Sequence, residues 1–576
     1  MGRAPVQQFS FTSGMLDDSL EARSDLASYY SGGREILNML ILPQGGLYTR
    51  SGLAFISEQP EAFAGARLAR FEFSPAQRYL HVFTHRKLHV YYQDKPVATI
   101  ATPWTTQQLA QIDWAQSLDT MIVVHPDVPP QKIMRAGAHN SWSCGPLTLK
   151  NVPKHTFAGT RKEAAWSDAR GWPRSVCLYQ GRMYFGGSKG RPQTIWGSSS
   201  NHFFDFRVTS GQPLDDDSVE MTLDSDQIAT FEQLYPRAGL LAFTTSGLFF
   251  QKESPVTPKN FIFSRHVNLP AARIKPVELE GEILFVRRGE DGHHQSVHEL
   301  VFDEGRQIYT TQDIALLSSR LMRAPIRMAA RYGDESQSNH HLYIVNGRDG
   351  TLAVFNSRRK QNVSGWSLLQ TAGKFKDIAV LGTHVYFLVE RTINNKRKVF
   401  IEKMDPEHRL DFSIRQTSKT AKTDWSGLSH LSGMTVHVMG NGVDMGVQSV
   451  EDGQIRTPHP VNDMQAGLAF DWAVETMPLA AKLADGSLVA ARHRIVQAGI
   501  YVQDTITLKV NGRAVSFARL DKPGILDAPP TPFTGLKTVR FFGWSGGAHS
   551  RGGGTVRLTG TSTGPATILS ITAEVS

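Results

Sequence analysis

One serine in the sequence has the spacing of a hydrolase nucleophile. Residues 560–564 read Gly-Thr-Ser-Thr-Gly and fit the pattern G-x-S-x-G. In that motif the serine sits on a sharp turn between a strand and a helix, and an acid and a histidine follow it in the chain. Only twelve residues follow Gly564, and none of them is a histidine. We therefore interpret this stretch as a turn at a strand, without a catalytic role.

A group of carboxylates could in principle bind calcium. The group consists of Asp215, Asp216, Asp217, Asp224 and Asp226. A calcium loop places its acids in a fixed order around a glycine, and neither feature is present here. The sequence therefore predicts a solvated acidic loop.

Histidines and cysteines give equally weak metal patterns. Histidines occur in pairs at His293-His294 and His340-His341, without neighbouring cysteines or a helical H-E-x-x-H pattern. The two cysteines, Cys144 and Cys177, are too few for a structural zinc site, and we expect both to be free thiols in a reducing compartment. The sequence predicts no metal, no cofactor, no catalytic residue and hence no enzyme activity.

Two basic groups are candidates for contact with nucleic acid. Arg358 and Arg359 form the first, and Lys396 and Arg397 follow a probable Asn-Asn hairpin turn in the second. Such side chains bind DNA phosphates without reading the base sequence. The alternative is a solvated hairpin, because the net charge of +9 is spread over 576 residues.

Most of the remaining chain has the pattern of short strands and tight turns. Seven stretches each combine a run of strand-forming residues with a turn and a second run; they begin at Arg78, Met121, Ser175, Leu240, Ile283, Leu342 and Ile378. Their spacings of 36 to 65 residues scatter around the roughly 40–50 residues of one propeller blade. The sequence predicts a mainly β fold: an irregular β-propeller with additional small β-barrel or sandwich domains. Unrelated hairpins in sandwiches are the alternative.

Changes in composition and in the pattern of strand-forming residues along the chain predict four regions. They are an N-terminal assembly segment (1–60), the propeller (61–415), a small β-barrel domain (416–479) and a C-terminal β domain (480–576). No run of about 18 apolar residues is present, so no membrane-spanning segment is expected. The N-terminus lacks the apolar core of a signal peptide.

Five blocks of the sequence, in order, resemble one family. The first runs over 11–52 and includes Gly14, Leu20, Arg23, Asp25, Tyr29, Asn38, Pro43, Gly45, Gly46, Arg50 and Gly52. The others are 113–135, the meander 171–206 with Gln180, Arg182 and Trp196, then 426–438, and the ending 564–575. Together they resemble the tail nozzle proteins of short-tailed phages, the tail tubular protein B family.

The resemblance implies a structural role in the virion tail. Members form a hexameric ring below the portal and the tail adaptor protein, and the ring continues the channel through which double-stranded DNA leaves the capsid. Tail fibres or spikes dock on it, with platform and nozzle domains at the centre and propellers outside. Assembly takes place in the host cytoplasm. For this chain the resemblance implies an assembly segment that includes Arg23, Asp25, Asn38 and Arg50.

Two other functions remain open at this point. A receptor- or glycan-binding β-propeller of the tail would need exposed aromatic side chains on one concave face. A β-propeller hydrolase would need paired carboxylates at matched strand ends.

Overall fold

A computed structural model describes residues 4–62, 65–157, 161–289, 294–333, 339–479, 482–483, 486–487, 493–517, 531–540, 544–545 and 554–575. Within these residues the α-helices Ala27–Tyr30 and Thr106–Leu109 have only four residues each. The 3-10 turns are Asp18–Leu20, Pro60–Ala62, Leu316–Leu321, Arg359–Gln361 and Ser429–Leu431. The prediction of a mainly β fold is confirmed. No helix of the described chain is long and apolar enough to cross a membrane.

Seven antiparallel units of four strands form the blades of a β-propeller; five are separate sheets, and the last two are parts of larger sheets. Blade 1 consists of Arg67–Ser74, Gln77–Thr84, Lys87–Tyr92 and Lys95–Ala101. Blade 2 consists of Asp113–Ser117, Thr120–His125, Val128–Arg135 and Trp142–Pro146. Blade 3 consists of Ser175–Tyr179, Arg182–Gly186, Thr194–Gly197 and Val219–Thr222. A separate hairpin, Lys154–Thr156 with Lys162–Ala164, precedes it.

Blades 4 to 7 repeat the same order. Blade 4 consists of Phe231–Pro236, Leu240–Thr244, Leu248–Gln251 and Ser264–Val267. Blade 5 consists of Val277–Leu279, Glu282–Arg287, Ser296–Asp303 and Ile308–Asp313. Blade 6 consists of Pro325–Arg331, His340–Asn346, Leu352–Arg358 and Val363–Leu369. Blade 7 has three strands from its own region, Lys374–Leu381, His384–Ile393 and Lys396–Asp405.

The fourth strand of blade 7 comes from the N-terminal region of the chain. Gly52–Glu58 pairs antiparallel with the third strand, with Phe400 opposite Glu58. This strand lies inside the predicted N-terminal segment 1–60, so that segment supplies part of the propeller. The pairing joins distant parts of the chain and completes the four strands of the last blade, which packs face to face on blade 1.

An apolar cluster lies between each blade and the next, all the way around the ring. Phe71 packs edge-on against Trp142 between blades 1 and 2, with ring centroids 4.9 Å apart. Between blades 7 and 1, Leu388 and Leu80 share a core cluster. The clusters at the other five contacts include Val124 with Phe185, Cys177 with Leu234, Phe243 with Phe285, Leu284 with Ile344, and Tyr343 with Phe387. Strands packed between two blades must be apolar on both faces, which explains runs such as Met-Ile-Val-Val at 121–124.

The remaining strands form sheets that continue from blades 6 and 7. The outer strand of blade 6 pairs with Gly14–Met15 and Gly32–Leu37, and the latter pairs with Asp471–Thr476. That sheet continues through Arg557–Thr561, Lys509–Val510 and Arg513–Ala514. The close approach at Gly14 requires glycine, because a Cβ there would lie 2.2 Å from the backbone nitrogen of Trp366 and φ is +67°.

The sheet of blade 7 also extends beyond the propeller. Next to its outer strand lie, in the order of hydrogen bonding, Asp411–Ser426, Gln454–Leu468, Thr435–Gly440 and Val443–Ser449. In the described pairings this sheet is open, with Val443–Ser449 as a mostly exposed edge, and it differs in this respect from the barrel expected over 416–479. Its core includes Phe412, Trp425 and Val438.

A third sheet holds the two ends of the described chain together. It contains Ala4–Gln8, Met39–Ile41, Leu47–Thr49, His493–Thr505, Phe533–Arg540, Trp544–Ser545 and Thr567–Val575. A small pair, Lys482–Leu483 with Gly486–Ser487, lies apart. The N-terminal strands thus alternate between the propeller and the C-terminal sheets.

Candidate functional site

The first strands of the blades meet around the propeller axis, and charged residues are concentrated where these strands begin. Asp113 and Ser175 open the first strands of blades 2 and 3, and Glu232 is the second residue of blade 4. Asp377 and Arg327 lie in the first strands of blades 7 and 6. We call the face on which the first strands begin the entry face. In an antiparallel meander the turn between strands 2 and 3 also lies on this face.

Asp113 joins three blades at the entry face. Its carboxylate is 2% exposed and accepts hydrogen bonds from Ser175 Oγ at 2.8 Å and from Val176 N at 3.1 Å, both in blade 3. Lys275, which precedes blade 5, places Nζ 3.2 Å from the same carboxylate and also donates to the Trp114 carbonyl. Blades 2 and 5 are three positions apart in a ring of seven, so this contact crosses the axis.

Glu232 binds two arginines. Its Oε2 lies 3.1 Å from Arg174 Nη2 and 3.4 Å from Arg273 Nη1. Arg273 also donates to the carbonyl oxygens of Gln111, at 2.6 Å, and Arg174, at 2.9 Å. Burial lowers the pKa of Arg273, and the neighbouring charge of Arg174 adds to this effect.

Asp377 lies between two guanidinium groups. It accepts a hydrogen bond from Leu68 N of blade 1 at 2.9 Å. Its oxygens are 3.5 Å from Arg67 Nε and 3.4 Å from Arg327 Nε. Burial, reinforced by the charge of Arg327, lowers the pKa of Arg67 to about 9. The Arg67 guanidinium also lies 5.2 Å from the ring centroid of Trp114.

We refer to Arg67, Asp113, Arg174, Glu232, Arg273, Lys275, Arg327 and Asp377 as the axial cluster. Their side chains bridge blades 1, 2, 3, 4, 5, 6 and 7 at one end of the axis. The axis of a single propeller is therefore occupied by side chains and does not provide a passage for a DNA duplex. Sequence patterns missed this cluster, because its members are separated by tens of residues and each one alone looks like an ordinary charge at the start of a strand.

The predicted DNA contacts lie on opposite faces of the propeller. Lys396 and Arg397 follow the turn between strands 2 and 3 of blade 7, on the entry face, and both are exposed. The turn residues Asn394 and Asn395 have φ of 48° and 61°, as the predicted hairpin requires.

Arg358 and Arg359 lie between strands 3 and 4 of blade 6, on the other face. Arg359 pairs with two carboxylates of blade 5, Glu280 at 3.6 Å and Glu299. The structure therefore does not join the two basic groups into one surface, and Arg359 is engaged within the chain.

Two predicted assembly residues form a buried junction. Arg50 is 2% exposed and makes a bidentate ion pair with Asp411, at 2.8 and 2.7 Å. Its other hydrogen bonds go to Asn38 Oδ1 at 3.0 Å and to the carbonyl oxygens of Ser51 and Gln370, both at 2.9 Å. All five N–H groups of the guanidinium are thus satisfied.

The junction connects the N-terminal region with the ends of blades 6 and 7 and with the sheet that contains Asp471–Thr476. Asn38 donates to the carbonyl of Asp471 at 2.7 Å, and the guanidinium of Arg50 lies 3.6 Å from the ring centroid of Phe470. Gln370 follows blade 6, and Asp411 opens the strand next to blade 7. We call Asn38, Arg50, Gln370, Asp411 and Phe470 the junction.

A second buried ion pair lies beside the junction. Arg391 and Glu402 face each other on neighbouring strands of blade 7, with bidentate distances of 2.6 and 2.7 Å. Their side chains are 1% and 0% exposed. Burial and the nearby charge of Asp411 keep the pKa of Glu402 raised, although Arg391 opposes this shift.

The other predicted assembly residues are free of the junction. Arg23 and Asp25 form an exposed bidentate pair with each other, at 2.8 and 2.9 Å. This pair is accessible at the surface of the described chain, whereas the side chains of Asn38 and Arg50 are buried and make their hydrogen bonds within the junction.

The possible metal ligands are engaged in other ways. Asp217 accepts hydrogen bonds from Thr209 and Leu214, and Asp216 pairs with Arg207. His341 is buried, and burial lowers its pKa to about 3. No group of three potential ligands is present in the described ranges, and His293 lies outside them.

The serine of the G-x-S-x-G stretch has a structural contact. Ser562 Oγ accepts a hydrogen bond from Phe470 N at 3.1 Å, next to the junction. Its hydroxyl thus connects the turn after Arg557–Thr561 to the residue that precedes the strand Asp471–Thr476.

Comparisons with known proteins give only distant structural similarities. No family model and no curated protein matches the chain. Among solved structures it is similar to BBS1N in complex with ARL6DN (TM-score 0.36, 9% identity, 62% of this chain and 98% of the other). It is also similar to YCF48 bound to D1 peptide (TM-score 0.31, 11% identity, 64% and 94%) and to the β-propeller domain of Cps50 (Swd1) from Myceliophteria thermophila (TM-score 0.33, 9% identity, 58% and 95%). Because these identities and TM-scores are low, the propeller assignment rests on the seven blades of the chain itself.

Proposed function

We propose that this chain is a structural protein of a phage tail, one subunit of a hexameric nozzle. In this proposal the ring continues the DNA channel below the portal and the adaptor protein, gates DNA ejection, and carries tail fibres or spikes. It is assembled in the host cytoplasm, resides in the virion tail and breaks no covalent bond. The proposal combines the five sequence blocks with one feature of the fold.

That feature is the continuity between the propeller and the C-terminal sheets. The outer strands of blades 6 and 7 each pair with strands outside the propeller, so hydrogen-bonded sheets run from one region into the other. A flexible linker would let the two regions move independently. Continuous sheets instead suit a subunit that must transmit force between an outer propeller and the wall of a channel.

The axial cluster supports a channel outside the propeller in this proposal. Because side chains cross the propeller axis, for example from Lys275 to Asp113, the proposed DNA passage lies between subunits. We assign the wall of that passage to the C-terminal sheets. The N-terminal segment, through its exposed pair Arg23 and Asp25, contributes to contacts with neighbouring proteins.

The hydrolase alternative would use carboxylates near the axis, where Asp113, Glu232 and Asp377 are found. A glycoside hydrolase needs one carboxyl group that carries a proton. Each of these three groups is instead held in an ion pair with at least one cation of the chain. This arrangement supports a structural role for them.

The mass of the purified protein tests the proposal. Six copies of the 63.8-kDa chain would weigh about 380 kDa. We expect native mass spectrometry to detect this species, alone or after addition of the adaptor protein. A chain that stays monomeric under both conditions would favour the receptor- or glycan-binding propeller.

If the hexamer forms, the variant Arg23→Glu tests the assembly segment. It reverses an exposed charge without touching the junction, so folding should persist. We expect it to reduce binding to the adaptor, whereas the matched change Arg306→Glu on an exposed turn of blade 5 should not.

A further inference from the structure

The axial cluster contains more cations than carboxylates. Arg67, Arg174, Arg273, Lys275 and Arg327 supply five positive charges, and Asp113, Glu232 and Asp377 are the three carboxylates that they pair with among the described residues. The cluster therefore carries two more positive than negative charges, although each cation lies 3.1 to 3.5 Å from one of these carboxylates. Arginine keeps its proton in proteins, so deprotonation does not remove this excess.

Several donors in this region lack an acceptor. Arg67 Nε and Arg327 Nε are buried and make no hydrogen bond within the described part of the chain, although both face Asp377. The distances of 3.5 and 3.4 Å to that carboxylate are too long, or too poorly aligned, for hydrogen bonds. Each Nε–H group can thus serve an additional acceptor, whereas Nη1 of Arg67 donates to the carbonyl oxygens of Leu109 and Ala110 and Nη1 of Arg327 donates to that of Ile326.

His125 is a further buried donor, near Arg273 and Arg174. It ends strand 2 of blade 2, next to the turn on the entry face, and is 1% exposed. Its Nδ1 accepts a hydrogen bond from Asp127 N at 3.0 Å, so the ring hydrogen is on Nε2, which has no partner among the described groups. Burial, with smaller contributions from Arg273 and Arg174, lowers the pKa of His125 to about 4 and keeps the ring neutral.

We propose that the axial cluster binds a small oxyanion, of the size and charge of inorganic phosphate or sulfate. Such an ion would match the excess of two positive charges and accept hydrogen bonds from the guanidinium groups of Arg67 and Arg327. Arginine forks suit tetrahedral oxyanions, because two parallel N–H groups meet two oxygens. The ion would hold together blades that approach the axis from all sides of the ring.

A free ion is favoured over the phosphates of nucleic acid. The side chain of Arg67 is only 11% exposed and that of Arg327 only 19% exposed, so a duplex cannot reach both. The site is independent of the proposed nozzle function, because it needs only the propeller.

Calorimetry and thermal unfolding of the whole chain test the proposal, with sodium phosphate and sodium sulfate as probes. Sodium chloride at the same ionic strength is the reference. We expect saturable binding of at least one of the two oxyanions, and a rise of the unfolding midpoint that chloride does not produce. A midpoint that depends on ionic strength alone, with no heat of binding, would overturn the proposal.

Variants locate the site. Arg327→Gln removes one charge at a partly solvated position and should weaken oxyanion binding about tenfold or more, which is the loss expected for a charged hydrogen bond. If this variant does not fold, Lys275→Gln supplies the same test from the other side of the axis. The exposed Arg306→Gln is the control and should bind like the wild type. Equal affinity in the folded axial variant and the control would refute the assignment.

A short DNA duplex distinguishes the two sources of phosphate. At the same phosphate concentration it should not reproduce the rise in midpoint, nor compete with the ion. A rise with the duplex and none with the free ions would contradict the proposal.

Discussion

Replacing Arg50 by methionine is the most informative test of how the regions of this fold are joined. The side chain satisfies five acceptors, of which two are the oxygens of Asp411. Methionine fills a similar volume but donates no hydrogen bond. In Arg50→Met the Asp411 carboxylate, which is 1% exposed, would remain in the interior without its cation.

The expected loss is large because the pair is fully buried. Removing one partner of a buried ion pair costs about 3–5 kcal/mol of unfolding free energy, since the other charge is left without compensation. Replacing both partners by apolar residues is often nearly neutral. The double variant Arg50→Met/Asp411→Leu should therefore be more stable than Arg50→Met alone, although Asn38 and two carbonyl groups still lose their donor.

Urea unfolding, followed by far-ultraviolet circular dichroism and by tryptophan fluorescence, measures these changes. Arg23→Met is the matched control, because its ion pair is exposed and we expect almost no change in the unfolding midpoint. A loss below about 1 kcal/mol for Arg50→Met, or a loss equal to that of the control, would refute the role of the junction.

Three further measurements follow from the structure. His81 is buried among Phe71, Phe83 and Trp142, and burial lowers its pKa to about 3. Below about pH 6.5 the unfolded chain therefore binds a proton at this residue that the folded chain does not bind. Between pH 7 and 5 the unfolding free energy of the wild type should fall by about 2 kcal/mol more than that of His81→Phe, and parallel pH profiles would contradict this. The thiol of Cys177 is buried with a raised pKa, so in a Cys144→Ser background a thiol reagent at pH 8 should modify it much more slowly before than after unfolding. Binding to two unrelated DNA duplexes should be micromolar or weaker, equal for both and lost as salt rises; tight binding that differs between them would exclude a conduit.

The propeller could be predicted because each blade leaves a local signal. A strand between two blades is apolar on both faces, and tight turns separate it from its neighbours. Each of the seven stretches found in the sequence lies in a different blade, from Gln77–Thr84 in blade 1 to Lys374–Leu381 in blade 7. The predicted Asn-Asn hairpin turn is also present, with φ of 48° at Asn394 and 61° at Asn395.

Contacts between distant residues left no comparable signal. The closing strand Gly52–Glu58 and the strand Lys396–Asp405 are separated by more than three hundred residues, and nothing in either one specifies the partner. Arg50 and Asn38 could be singled out only through the family resemblance, and their burial against Asp411 and Asp471 required the fold. The axial cluster also left no signal in the sequence, because its charged residues come from different blades and meet only in the folded ring.

Electron microscopy of the purified protein tests most directly whether the chain forms a hexameric nozzle. Class averages should show a ring with six-fold symmetry, a central opening wide enough for a DNA duplex, and six propellers around the outside. Single particles of one propeller with its attached sheets, or closed rings whose opening cannot admit a duplex, would contradict the proposed function.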